Sequence, residues 1–287
     1  MCYNEKKRKR QVLQVISSTN VVLFSLALAL TLAGPLVRLL VLVLRRRIHA
    51  APLFLGAAAF FVSQFLLRIP LLNFLSGMDW FRQFAAQTLP YALCLALSAG
   101  LFEESARLGG ALLLRRHRSY RDALSFGLGH GLCEVLLLTG LTNLNNILMC
   151  YLVNSGLLSS FENGLPQAQF AALSQAAAQL AAVSPLDILA SLVERVSAVL
   201  FHLFATVLIF RGVAAGRKGL FYLAALGAHT AFNLPVVLVP HWGVWPTELL
   251  LLVLAGGATG YTVRARRYFP RETPVAEGPE PRNLPES

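Results

Sequence analysis

The run VVLFSLALALTLAGPLVRLLVLVL at residues 21–44 constrains this chain more than any other feature. About 20 apolar residues in a helix cross the hydrocarbon core of a bilayer. About seven stretches of comparable character follow one another, at 18–44, 50–67, 89–114, 122–152, 186–211, 219–239 and 246–263. Hydrophobic residues make up 56% of the chain and charged ones 14%, which leaves too little polar surface to cover a water-soluble core. A transmembrane barrel would show short alternating segments instead. The sequence therefore predicts an all-α fold, a polytopic transmembrane bundle of about seven spans over residues 18–263. A basic leader (1–17) precedes it, and a Pro- and Glu-rich tail (264–287), expected to be disordered, follows.

The net charge of +11 does not point to nucleic acid, because the basic residues sit in short clusters between apolar runs. RRR at 45–47, RRHRSYR at 115–121, RGVAAGRK at 211–218 and RARR at 264–267 fall on alternate connections, which makes those connections and the C-terminal tail cytoplasmic. The connections FENGLPQ and PHWGVWP carry no Lys or Arg and belong outside. KKRKR near the N-terminus disagrees with seven spans, so the first apolar run is either two elements or has an unusual leader. That leader resembles a signal peptide, but the apolar run continues to Leu44 and ends in RRR, as an uncleaved span does. The segment 68–88 is mixed, with Trp80 and Phe81 suited to an interface, and AQFAALSQAAAQLAAV suggests a short surface helix. Cys2, Cys94, Cys133 and Cys150 form no CxxC pair and read as ordinary thiols.

Against this apolar background the polar residues stand out. An ionisable side chain near the bilayer centre costs about 2.5–3.5 kcal/mol on the insertion scale. Yet GLFEESARLGG places Glu103, Glu104 and Arg107 within five positions. FGLGHGLCE adds His130 and Glu134, VERVSAVLFHLF adds Glu194, Arg195 and His202, and GAHTAFN adds His229 and Asn233. Glu103 and Arg107, His130 and Glu134, and His229 and Asn233 are each i,i+4 pairs, so each shares a helix face.

Depth counted from the basic loops brings four helices to one layer. Glu103 lies about 18 Å from Arg115, His130 about 14 Å from Arg121, His202 about 14 Å from Arg211, and His229 about 17 Å from Lys218. Glu194 and Arg195 lie deeper, about 24–25 Å from their loop. Singly, each residue reads as an interhelical hydrogen bond or ion pair, and Gly127, Gly129 and Gly131 as close helix packing. Two carboxylates and three imidazoles at one depth, in the cytosolic half, read as a site. Carboxylate with imidazole activates water by general acid–base chemistry, and three His with a Glu also suit zinc. The HExxH of soluble zinc peptidases is absent.

EExxR at 103–107, FGLGHGLCE at 126–134, ER followed by FH at 194–202, and HxxxN at 229–233 resemble the YhfC family of intramembrane metalloproteases. The pattern is also similar to the broader CAAX- and bacteriocin-processing and PrsW membrane proteases, with one residue fewer between Glu104 and Arg107 than the usual EExxxR. The resemblance spans roughly residues 20–263. It implies a peptidase in the bacterial cytoplasmic membrane that cleaves a membrane protein or peptide within or near the bilayer. Glu103 or Glu104 would activate water with His130, and Asn233 would stabilise the oxyanion. His130, His202, His229 and Glu134 would serve as metal ligands, with His202 alternatively a partner behind the ligands and Glu134 alternatively a group that orients an imidazole. Arg107, Glu194 and Arg195 would be orienting groups. Zinc is the implied cofactor and a metal-free glutamate mechanism the alternative. A non-catalytic scaffold or receptor of the same fold and a proton-coupled transporter are the competing classes.

Overall fold

The computed structural model describes residues 15–270, apart from Arg46, residues 115–117 and the side chain of Pro240. The expected leader up to residue 14 and the tail from 271 lie outside the described residues. Among those described there is no strand, and the principal helices are α1 (Ser18–Leu44), α2 (Ala50–Ser76), α3 (Asp79–Ala85), α4 (Thr88–Leu113), α5 (Tyr120–Asn154), α6 (Gln167–Ala181), α7 (Pro185–Ala214), α8 (Lys218–Val237) and α9 (Val244–Ala265). The fold is an all-α polytopic bundle. Five helices, α1, α2, α5, α7 and α8, are long and apolar enough to cross a membrane. A sixth span results if α3 and α4, bent by 105° at their junction, count as one. The segment expected at 246–263 lies in α9, which is not among these helices.

Local signals explain the main boundaries. Ser119 and Asp122 form a reciprocal capping box that starts α5. Ser184 caps α7, and Pro185 occupies its first turn, where a missing N–H costs nothing. The span expected at 50–67 runs on to Ser76, because Pro70 falls where a π-helical stretch, Phe61–Arg68, hands over to α-helix. Two further π-helical stretches interrupt α1 at Ala29–Ala33 and α5 at Val135–Gly140. Such bulges re-aim side chains and recur at functional sites; the one in α5 begins directly after Glu134.

Burial sorts the bundle into a lipid face, a dry plug and a polar middle. Gly34–Leu44 buries nothing, and Leu36, Val37, Leu40 and Leu44 stand exposed, as side chains facing lipid do. The Ala/Gln-rich segment forms α6 and seats Ala177 and Leu180 beside Cys150 and Val153. Toward the basic loops, Ala111, Ala123, Phe126, Val207, Phe210 and Ala265 form one continuous apolar core. Phe269 is buried in it, and Arg211 stacks 3.7 Å from the ring centroid of Tyr268. The tail expected to begin at Arg264 therefore starts in packed structure, because Tyr268 and Phe269 have an aromatic and cationic surface to cover.

Candidate functional site

The polar middle layer is assembled by α4, α5, α7 and α8. Gly127 and Gly131 bring α5 against α7: a Cβ on Gly127 would lie 3.0 Å from Thr206 Oγ1, and one on Gly131 3.2 Å from His202 Cβ. That close approach sets His130 and His202 side by side, with ring centroids 5.0 Å apart. The spacing of α4 then delivers Glu103, Glu104 and Arg107 to the same place, all three buried.

Glu103 Oε2 is the centre of the cluster. It accepts from His130 Nε2 at 3.0 Å and lies 3.8 Å from His202 Nδ1, 3.9 Å from His229 Nε2 and 4.0 Å from Arg107 Nη2. Glu104 does different work. It pairs with Arg107 and accepts from His229 Nδ1 at 2.7 Å. A carboxylate held by a guanidinium only accepts, so the Nδ1 proton of His229 is fixed and Nε2 faces Glu103 with its lone pair. Arg107 also donates through Nη2 to His202 Nδ1 at 2.9 Å, which forces the His202 proton onto Nε2. That proton goes to Glu134 at 2.5 Å, and Glu134 is in turn held by Arg195 at 2.8 Å. Arg195 also pairs with Glu194.

The structure thus brings Glu103, Glu104, Arg107, His130, His202 and His229 into one cluster and places Glu134, Arg195 and Glu194 in a tier behind His202. Asn233 lines the adjoining cavity with Glu103, His202 and His229. Sequence reasoning missed two members. Gln64 Nε2 donates to Glu103 Oε1 at 2.7 Å, and Arg68 Nη1 donates to Gln64 Oε1 at 3.1 Å. Their i,i+4 spacing at the end of the second apolar run was the available signal. Glu248, buried on α9 with Oε2 lacking a partner, was also missed; a single Glu in an apolar run was its signal.

Glu103, His130 and His202 each offer one donor atom within 4.8 Å of the others, so this trio fits a metal ion. Two imidazoles have the carboxylate partners that commonly stand behind metal-bound histidines, Glu134 for His202 and Glu104 for His229. His130 Nδ1, by contrast, is buried without a partner. His202 Nδ1 already accepts from Arg107, so a metal and Arg107 compete for one lone pair.

The cavity beside the cluster has a volume of about 230 Å³. Its lining steps from Glu103 back to Leu95 on α4 and from His229 forward to Val237 on α8. Both steps lead away from the basic loops, while the apolar core around Phe126 and Phe210 closes the other side. The side of the cluster that faces the basic loops is therefore closed, and the cavity extends from the cluster toward the opposite end.

A helical membrane bundle with a buried carboxylate–imidazole cluster able to hold a metal is the class that fold and site define. The chain belongs to the YhfC intramembrane metalloprotease family, whose sequence model matches residues 30–251 and so includes every residue named in the cluster. It is similar to the Bacillus subtilis (strain 168) protein titled "Uncharacterized membrane protein YhfC", with 30% identity over 224 residues, 75% of this chain and 84% of the relative. No solved structure matches the chain. The expected resemblance to the YhfC family holds.

Proposed function

We propose that the protein is a membrane-embedded metallopeptidase that hydrolyses a peptide bond of a membrane protein or peptide inside the bilayer. The observation that carries this reading is the convergence of three imidazole nitrogens on one carboxylate oxygen, Glu103 Oε2, beside a cavity. Glu103, His130 and His202 would hold the ion, with zinc the metal this donor set suits. When bound, it supplies Lewis acidity and eases deprotonation of water.

The remaining side chains take proton-handling and orienting parts. His229, aligned by Glu104, takes a proton at Nε2 from the attacking water as its oxygen bonds to the peptide carbonyl carbon. The C–N bond then breaks, and the same imidazole returns the proton to the leaving nitrogen, giving a carboxylic acid and an amine. Asn233, one turn beyond His229, would donate to the developing oxyanion. Glu134 and Arg195 fix the ring of His202, and Arg107 fixes Glu104. Substrate reaches the cluster from the end away from the basic loops, and that is the end where the cut falls.

A second reading has its own support. The hydrogen bond from Arg107 to His202 Nδ1 and the direct His130–Glu103 contact suit a metal-free site in which Glu103 itself activates water. One experiment tests the peptidase activity common to both. Membranes containing wild type or His229→Ala are compared by mass spectrometry for cleaved membrane peptides. The expected result is a product present only with wild type, cut in the half of its apolar segment nearer the Arg-poor loops. Identical peptide profiles from both membranes would overturn the reading.

A further inference from the structure

We propose that Gln64 and Arg68 form a positioning arm that fixes Glu103, so that one carboxylate oxygen is anchored and the other is left for metal and imidazoles. The inference rests on the reading of Glu103 as a metal-holding carboxylate and adds two polar residues from α2, the helix whose Phe60 packs edge-on against His130.

The arm is held at both ends. Gln64 is 4% exposed, and its amide donates to Glu103 Oε1 at 2.7 Å. Arg68 then donates to Gln64 Oε1 at 3.1 Å, to Ser98 Oγ at 3.1 Å and to the Leu95 carbonyl at 2.9 Å. Ser98 and Leu95 lie on α4, the helix that carries Glu103, so the arm leaves α4 and returns to it. Both residues come from the π-helical stretch Phe61–Arg68, whose wider turns set their directions.

The chemistry of the middle link is specific. Only one amide orientation satisfies both neighbours: N–H toward the carboxylate and C=O toward the guanidinium. The flipped amide would set oxygen against oxygen and N–H against N–H. A glutamate at 64 would match Arg68 but repel Glu103. The charges agree with this arrangement. Arg107 pairs with Glu104, and Arg195 pairs with Glu134 and Glu194. Arg68 makes no ion pair among the described residues, so its charge offsets that of Glu103 through the Gln64 amide.

The test is a cobalt(II) titration, followed by its visible absorption, of purified wild type, Gln64→Leu and Gln64→Glu. Loss of a group that orients a metal ligand weakens metal binding about 10–100-fold, and that loss is expected for Gln64→Leu. Gln64→Glu is expected to bind cobalt at least as weakly, since its carboxylate pairs with Arg68 but repels Glu103. A merely structural role for Gln64 gives the reverse, a well-packed Gln64→Glu protein with wild-type cobalt affinity, and that result overturns the arm. Absence of cobalt uptake by wild type would sink the metal reading separately. The arm is then decided by thermal unfolding of Gln64→Leu, Glu103→Leu and the double variant. Less-than-additive shifts in Tm support it and additive shifts refute it.

Discussion

Arg107→Leu is expected to lose about 3–5 kcal/mol of stability, the penalty for leaving a buried charge without its partner. The side chain of Arg107 is fully buried, pairs with Glu104, donates to His202 and lies 4.0 Å from Glu103 Oε2. No other cation lies within ion-pair distance of Glu104 among the described residues, His229 apart. Replacing both partners by apolar groups removes the orphaned charge, so Arg107→Leu combined with Glu104→Leu should recover part of the loss, the remainder being the unpaired Nδ1 atoms of His229 and His202. Thermal unfolding in detergent of the two single variants and the double variant checks this. A stable Arg107→Leu protein would mean that Glu104 is not held as a carboxylate.

Gly129→Ala is expected to do comparable damage for a steric reason. A Cβ there would lie 1.9 Å from the Leu53 carbonyl oxygen and 2.8 Å from its carbon. The contact is reciprocal, since a Cβ on Gly56 would meet the Phe126 carbonyl oxygen at 2.0 Å. Helices α2 and α5 therefore touch backbone to backbone, and neither has a flexible side chain to move aside. Overpacking of a tight interface costs about 1–3 kcal/mol and sometimes more. The displaced helices would carry His130, the next residue, and Gln64 away from Glu103. Gly109→Ala is the control, because nothing lies within 4 Å of its added methyl. Removing a helical glycine there should leave Tm unchanged or raise it, since alanine is favoured by about 0.5–1 kcal/mol. Equal Tm for the two variants would contradict the packing described.

Much of the site was legible because membrane helices make depth countable. Loop charges and a fixed rise per residue put Glu103, His130, His202 and His229 in one layer, and the i,i+4 pairs assigned faces. Which adjacent glutamate faces inward was not legible, since neighbours on a helix point about 100° apart. Both are buried, and partners rather than direction separate them: imidazoles and Gln64 for Glu103, Arg107 and His229 for Glu104. Glu134 reads equally well from sequence as a ligand or an orienting group; its place between His202 and Arg195 is a tertiary fact. Gln64 and Arg68 escaped notice because the expected span ended at residue 67, which put Arg68 in the mixed segment 68–88 and left Gln64 a lone neutral amide in an apolar run. The 105° bend between α3 and α4, and the closure of the basic-loop side by Phe126 and Phe210, arise from packing between distant segments that periodicity does not encode.

Metal analysis of the detergent-purified protein tests the central claim most directly. After equilibration with zinc and removal of excess, wild type is compared with His130→Ala, His202→Ala and Asn233→Ala. The expected result is about one zinc per chain in wild type and in Asn233→Ala, with the metal lost from both histidine variants. Well-folded wild type that retains no metal, or histidine variants that keep it, would contradict a metal centre built on Glu103, His130 and His202.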